Sequence, residues 1–177
     1  FAESNWPVLA LAIDARRRLL WATTGYVPHC DGCDPGEKDK TALLCFDLDS
    51  AKLLRRIDSP VPGLLGDMTI KSDGSLYLSE GLHGAVFHFQ PTTADWQRLD
   101  SPGEFPSPQT PALSPDEKTL YVPDYLRGIA AIDLATRAVT WLQPAPGIAL
   151  NGIDGLYLHH GWFLAMQNGS RPPRLIR

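Results

Sequence analysis

The sequence has no sustained helical periodicity: nowhere do apolar residues recur at the three- and four-residue intervals of an amphipathic helix. No uninterrupted apolar run approaches the roughly 20 residues that cross a bilayer as a helix, so membrane insertion is not expected. Lys and Arg number 16 against 20 Asp and Glu, for a net charge of -4, and the signs are interspersed. A chain without a basic stripe has little to neutralise a phosphate backbone, and nucleic acid is not an expected partner. No Gly-x-Ser-x-Gly elbow and no phosphate-cradling glycine loop occurs, which sets aside serine-hydrolase and nucleotide chemistry. The five histidines form no i, i+4 pair of the kind that builds a zinc site on a helix.

Cysteine is scarce. The three cannot all pair within one chain, and Cys45 sits inside an apolar strand as a small buried hydrophobe. Cys30 and Cys33, as Cys-Asp-Gly-Cys, are close enough for a local disulfide, a redox couple or half of a metal site, and these readings stay open. A soluble protein is expected. The chain opens at Phe1 without a methionine and closes on a strand-like Arg174-Leu175-Ile176-Arg177, consistent with processing or truncation at either end, so cytoplasmic and periplasmic or secreted placement both remain open.

What the sequence does contain is a strand pattern that recurs about every 43 residues. Leu120-Tyr121-Val122-Pro123-Asp124 repeats Leu76-Tyr77-Leu78-Ser79-Glu80, each after a turn, and sixteen prolines with fifteen glycines supply the punctuation of an all-β chain. A repeat of this length built from four strand signals predicts the blades of a β-propeller. Four copies are expected over about 8–60, 64–102, 108–146 and 152–177, the last without its outer strand. Aligning the turns places Ala10, Asp67, Thr110 and Asp154 at one equivalent position, with spacings of 57, 43 and 44 residues. The excess in the first spacing is a surface loop inserted over 26–40 between the second and third strands of the first copy. Four blades could close alone, with residues 1–6 completing the last one. Otherwise the chain is part of a larger ring, and an exposed end must be covered by another segment or another copy.

The run Gln109-Thr110-Pro111-Ala112-Leu113-Ser114-Pro115-Asp116-Glu117-Lys118-Thr119-Leu120-Tyr121-Val122 resembles the blade signature of the senescence-marker-protein and gluconolactonase superfamily of six-bladed propellers. Asn151-Gly152-Ile153-Asp154-Gly155-Leu156, followed by Gln167-Asn168-Gly169, is similar to a bacterial branch of it. The resemblance implies about four of six blades, one divalent cation (calcium, magnesium or zinc) at the central channel, and hydrolysis of a sugar lactone or related ester. It implies as ligands a Glu from an early blade, an Asn before the Ser-Pro-Asp turn strand and an Asp followed by Gly. Asp154-Gly155 matches the last, Thr110 stands in place of the Asn, and Ala10 offers no glutamate.

Asp67 and Asp154 start innermost strands, where propeller geometry aims side chains at the channel mouth. Asp154 is therefore the candidate catalytic base, and both are candidate metal ligands of the hard-oxygen type. An Asp beside Gly at a strand start equally caps a turn through its own backbone. Gln109, Thr110, Asn151, Gln167 and Asn168 are candidate contacts for a small polar ligand, since amides and hydroxyls both donate and accept. Asn-Gly is also a turn signal, which is the plainer reading of Asn151 and Asn168. Glu80 and Asp124 end equivalent strands and are expected to bond loop backbone. The rival reading is a non-catalytic propeller that recognises a protein or carbohydrate through its loops.

Overall fold

The computed structural model describes residues 6–177. Among the described residues fifteen strands form four antiparallel sheets set around one axis as the blades of a β-propeller. The first blade is β1 (Val8–Asp14), β2 (Leu19–Gly25), β3 (Thr41–Asp47) and β4 (Leu53–Asp58). The second is β5 (Leu65–Ile70), β6 (Leu76–Glu80), β7 (Ala85–Gln90) and β8 (Asp95–Arg98). The third is β9 (Ala112–Leu113), β10 (Thr119–Asp124), β11 (Gly128–Asp133) and β12 (Val139–Trp141). The fourth has three strands, β13 (Ile153–His159), β14 (Trp162–Gln167) and β15 (Arg174–Ile176). The outer strand expected from residues 1–6 falls mainly outside the described residues. Trp6 itself packs on the first blade, where its indole donates to Glu37 at 2.8 Å beneath the Arg56 guanidinium.

A blade is a twisted sheet with two faces to bury, and it buries them against its neighbours. In β6 the alternation sends Leu76 and Leu78 into a core shared with Trp21, Leu43 and Cys45 of the first blade, while Tyr77 joins Leu120, Val122 and Ile132 of the third. Both faces being covered, the strand reads as a nearly continuous apolar run. The third and fourth blades meet in the same way, through Ala112 and Ile129 against Ile153, Leu156 and Ala165. Each fully buried side chain of this size contributes about 1.5–3 kcal/mol, so the three shared cores carry most of the stability. Aromatic rings recur at the contacts: Trp21 meets Phe89 edge-on with centroids 6.3 Å apart, and Tyr121 meets Phe163 at 4.8 Å.

The repeat extends to the backbone. The hairpins joining third to fourth strands place Ala51, Ala94 and Arg137, 43 residues apart, in the left-handed region at φ 55, 56 and 62. The ends of the second strands repeat a side-chain device. Glu80 is buried and accepts from the backbone N–H of Leu64, Leu82 and His83 at 2.7, 2.7 and 3.0 Å. Asp124, likewise buried, accepts from Ser107, Leu126 and Arg127 at 2.7, 3.0 and 3.0 Å. Each carboxylate thus ties the incoming segment of its blade to the following hairpin. The inserted loop spans 26–40, held at its neck by Tyr26 N–H donating to the Lys40 carbonyl at 2.9 Å.

Replacing either carboxylate by its amide puts an NH2 where an oxygen accepted a backbone donor. Glu80→Gln and Asp124→Asn should each cost about 2–3 kcal/mol in urea unfolding, nearly additively because they belong to different blades.

Candidate functional site

The site is built at the axis end of the innermost strands. β5 pairs with β6 through a register shift between Leu65 and Met68, and β13 pairs with β14 through one between Ile153 and Gly155. Each shift marks a bulge, and the bulged residues include Asp67 in one blade and Asp154 in the other. A bulge interrupts the alternation of a strand, which lets a polar residue turn from the core to the channel mouth. In the third blade Thr110 precedes the short β9, with its N–H 3.3 Å from the carbonyl oxygen of Asp154.

Thr110 is the meeting point. Its hydroxyl lies 2.8 Å from Asp67 Oδ2 and 3.0 Å from the Asp154 carbonyl, and its single proton goes to the carboxylate, the shorter and charge-assisted contact. One threonine therefore touches the second and fourth blades from the third. Asp154 Oδ2 in turn accepts from Asn168 Nδ2 at 2.8 Å. Burial pushes the Asp67 carboxyl above the usual carboxylate range; the Thr110 hydrogen bond opposes this and the neighbouring Asp154 charge adds to it. Beside the cluster lies a cavity of about 230 Å³, walled by Met68, Thr110, Ala112, Leu113, Leu156 and Tyr157. The mouth is polar and acidic, and the wall below it is apolar.

The other candidates lie as follows. Gln167 is buried, and its functional atoms are spent inside the protein: Nε2 donates to the carbonyls of Ala149 at 3.1 Å and Asn151 at 2.6 Å, and Oε1 accepts from Arg174 at 2.7 Å. It stands 43 residues after Asp124 at the end of the second strand, and that position marks a loop anchor. Gln109 donates from Nε2 toward the Ser107 carbonyl and hydroxyl, both at 3.2 Å, and its N–H donates to the Pro123 carbonyl. Asn151 is exposed in the loop that Gln167 anchors. The glycines after Asn151 and Asn168 have a packing reason. Gly152 sits at φ +71 against Gly169, and a Cβ on either would lie 2.6–2.8 Å from the other's Cα. Two loops cross there with Tyr125 beside them, a contact that the Asn-Gly pattern alone does not reveal.

Cys30 and Cys33 form a disulfide on the inserted loop, with Cα atoms 5.5 Å apart. Among the readings open for this pair, the bridged form excludes thiolate ligation of zinc. Among the described residues, no group of three or more His, Cys, Asp or Glu side chains converges as a metal cage. Among the described residues no helix is long and apolar enough to cross a membrane.

No family model matches the chain, and no curated protein does so. Solved structures do. Streptogramin B lyase overlays with a TM-score of 0.71 at 10% identity, over 99% of this chain and 55% of that one. Hydrazine synthase of Kuenenia stuttgartiensis overlays at 0.69 and 14% identity, over 94% of this chain and 57% of that one. A catalytically inactive H270A virginiamycin B lyase from Staphylococcus aureus with quinupristin overlays at 0.61 and 10% identity, over 99% and 71%. At these identities the likeness shows the propeller fold. The chain spans about half the length of the first of these structures.

A half-buried carboxyl whose pKa is raised on folding weakens the fold where it is ionised. That cost is absent below the unfolded pKa and sets in as pH rises toward and through the raised folded value. Asp67→Asn, which still accepts from Thr110, should therefore raise the melting temperature at pH 7, and the gain should shrink as pH falls through the acid range, measured by thermal unfolding at each pH.

Proposed function

We propose that this propeller binds a small polar ligand at the channel mouth and that the bound ligand is a lactone or ester opened with the help of a divalent cation. One observation supports this above the others: beside an apolar cavity one threonine joins the Asp67 carboxylate to the backbone carbonyl of Asp154, which sets carboxylates from two separate blades near enough to act on each other. The donors there are oxygens, which suit calcium or magnesium better than zinc. Asp67 and Asp154 would hold the cation, with the oxygens of Thr110 and Asn168 and water completing its shell. When bound, it would polarise the ester carbonyl.

The remaining steps belong to the chain. Asp154, oriented by Asn168, accepts a proton from the attacking water as the new C–O bond forms. The ring or ester C–O bond breaks, and the departing alkoxide takes up that proton to leave an alcohol and a carboxylic acid. Asp67, ionised with the cation bound, would help to hold it against the ligand. The cavity wall receives the less polar side of the substrate. The likeness to the gluconolactonase superfamily in the stretches around Thr110 and Asp154 agrees with this chemistry.

A second reading rests on Ala10, which stands at the position of Asp67 in the first blade and brings no carboxylate. A mouth lined from fewer blades fits recognition of a carbohydrate or protein without catalysis.

The experiment is to follow the melting temperature with added calcium, magnesium, manganese or zinc, and to assay sugar lactones and simple esters. At about one hundred times Kd a native-state ligand adds roughly 2.7 kcal/mol, which is about 5–10 °C in a domain of this size. Calcium or magnesium should give such a shift, and Asp154→Ala should abolish both shift and turnover. No shift with any cation and no turnover would leave the second reading in place.

A further inference from the structure

The first and second blades leave a cavity of about 290 Å³ at the end of their interface away from the channel mouth. β5 starts beside the mouth near Asp67 and runs down to the turn at 71–75, and that turn forms one side of the cavity together with the hairpin after β7. Leu19 and Trp21 of β2 and Arg55 of β4 form the other side. Trp21, Cys45 and Arg55 stand in one row across β2, β3 and β4, on the face that meets the second blade.

Two arginines of the first blade cross the gap. Arg17, on the inner hairpin, binds Asp14 through Nη1 at 3.0 Å and donates from Nη2 to the Ser72 carbonyl at 3.1 Å. Gly74 makes room for it: at φ +91, a Cβ there would lie 2.7 Å from the guanidinium carbon of Arg17. Arg55, on the outermost strand, donates from Nη1 to the Pro91 carbonyl at 2.9 Å and lies over the Trp21 ring, 5.6 Å from its centroid. One guanidinium thus bounds the cavity toward the axis and another bounds it on the outside.

Acceptors here are used up and donors are left over. Asp14 is buried, and its two oxygens accept from the Arg17 N–H and the Arg17 guanidinium. Asp73 Oδ1 accepts from the N–H and hydroxyl of Ser75 at 2.9 and 2.6 Å, and Oδ2 faces Lys71 Nζ at 3.5 Å. A guanidinium carries five N–H donors, so Arg55 keeps several beyond its bond to Pro91. The Trp21 indole N–H, in a residue 1% exposed, has no acceptor among the described residues. A buried donor without a partner is costly, and an acceptor that reached it would recover that cost.

We propose that this cavity binds a small organic acid through its carboxylate, which takes hydrogen bonds from Arg55 and from the Trp21 indole while the rest of the molecule lies against Leu19 and Pro91. A planar carboxylate matches the planar fork of a guanidinium. The volume sits at the lower edge of the roughly 300–1,000 Å³ of small-molecule sites, which limits the ligand to a small one. Arg55 is exposed, and movement of its head group from over the ring on to the ligand uncovers the indole N–H. This site lies apart from Asp67 and Asp154 and needs no cation.

The test is calorimetric titration of the purified chain with benzoate in the presence of EDTA, which keeps divalent cations from the channel mouth. Benzamide, of the same shape without the charge, is the control. Benzoate should bind with a Kd of about 1 mM or below, and benzamide about tenfold more weakly. Arg55→Gln, at an exposed position, should weaken benzoate about tenfold. Trp21→Phe keeps an aromatic ring and removes the N–H, and should weaken it about threefold or more. Asp154→Ala should leave it unchanged, and circular dichroism checks that each variant folds. No binding of benzoate, equal affinity for benzamide, or full affinity in either the Arg55 or the Trp21 variant would overturn the proposal, as would loss of binding in Asp154→Ala.

Discussion

The constraint that governs this molecule is that a blade cannot bury its own faces. A four-stranded twisted sheet of some 40 residues presents two apolar surfaces, and short hairpins leave nothing within the blade to cover them. Trp21, Tyr77 and Tyr121 satisfy the constraint by reaching into the next blade, and the partner faces of Leu76, Leu120 and Phe163 receive them. The innermost strands are thereby held side by side, β1 on β5 and β9 with β10 on β13. Residues more than 40 positions apart in sequence, such as Asp67, Thr110 and Asp154, become neighbours for that reason.

The channel mouth inherits its character from the same arrangement. Positions just outside the buried cores are the places where a strand can turn a polar residue toward the axis, and bulges at Asp67 and Asp154 do so. The resulting group is acidic at the rim and apolar beneath. Its electrostatics follow from partial burial: Asp67 leans toward its neutral form because solvent is displaced around it and a second carboxylate is near. Positive charge or hydrogen-bond donors are the chemical complement of such a group.

Much of this was legible in the residues because a repeat announces equivalence. Strand order, the loop over 26–40 and the backbone-binding work of Glu80 and Asp124 all follow from comparing one copy with the next. Gln167 reads differently from its immediate neighbours than from its place in the repeat. Set beside a motif of amides it looked like a ligand contact, whereas set 43 residues after Asp124 it reads as the fourth blade's loop anchor. Other features left no trace. Ala51, Ala94 and Arg137 adopt left-handed backbone without the glycine that would advertise it, because the hairpin geometry overrides their intrinsic preference. The crossing of Gly152 on Gly169 needs two distant loops in place before either glycine has a reason.

Because blades grip only their immediate neighbours, the three shared cores behave like links loaded in series. The second and third blades are each clasped on both flanks, while the first is clasped by the second and the fourth by the third. In residues 6–177 taken alone, thermal agitation should therefore loosen the first and fourth blades before the two between them, and the three-stranded fourth blade carries Asp154 with it. Any ligand that bridges Asp67 and Asp154 would act as a rivet between an interior blade and the one readiest to peel away.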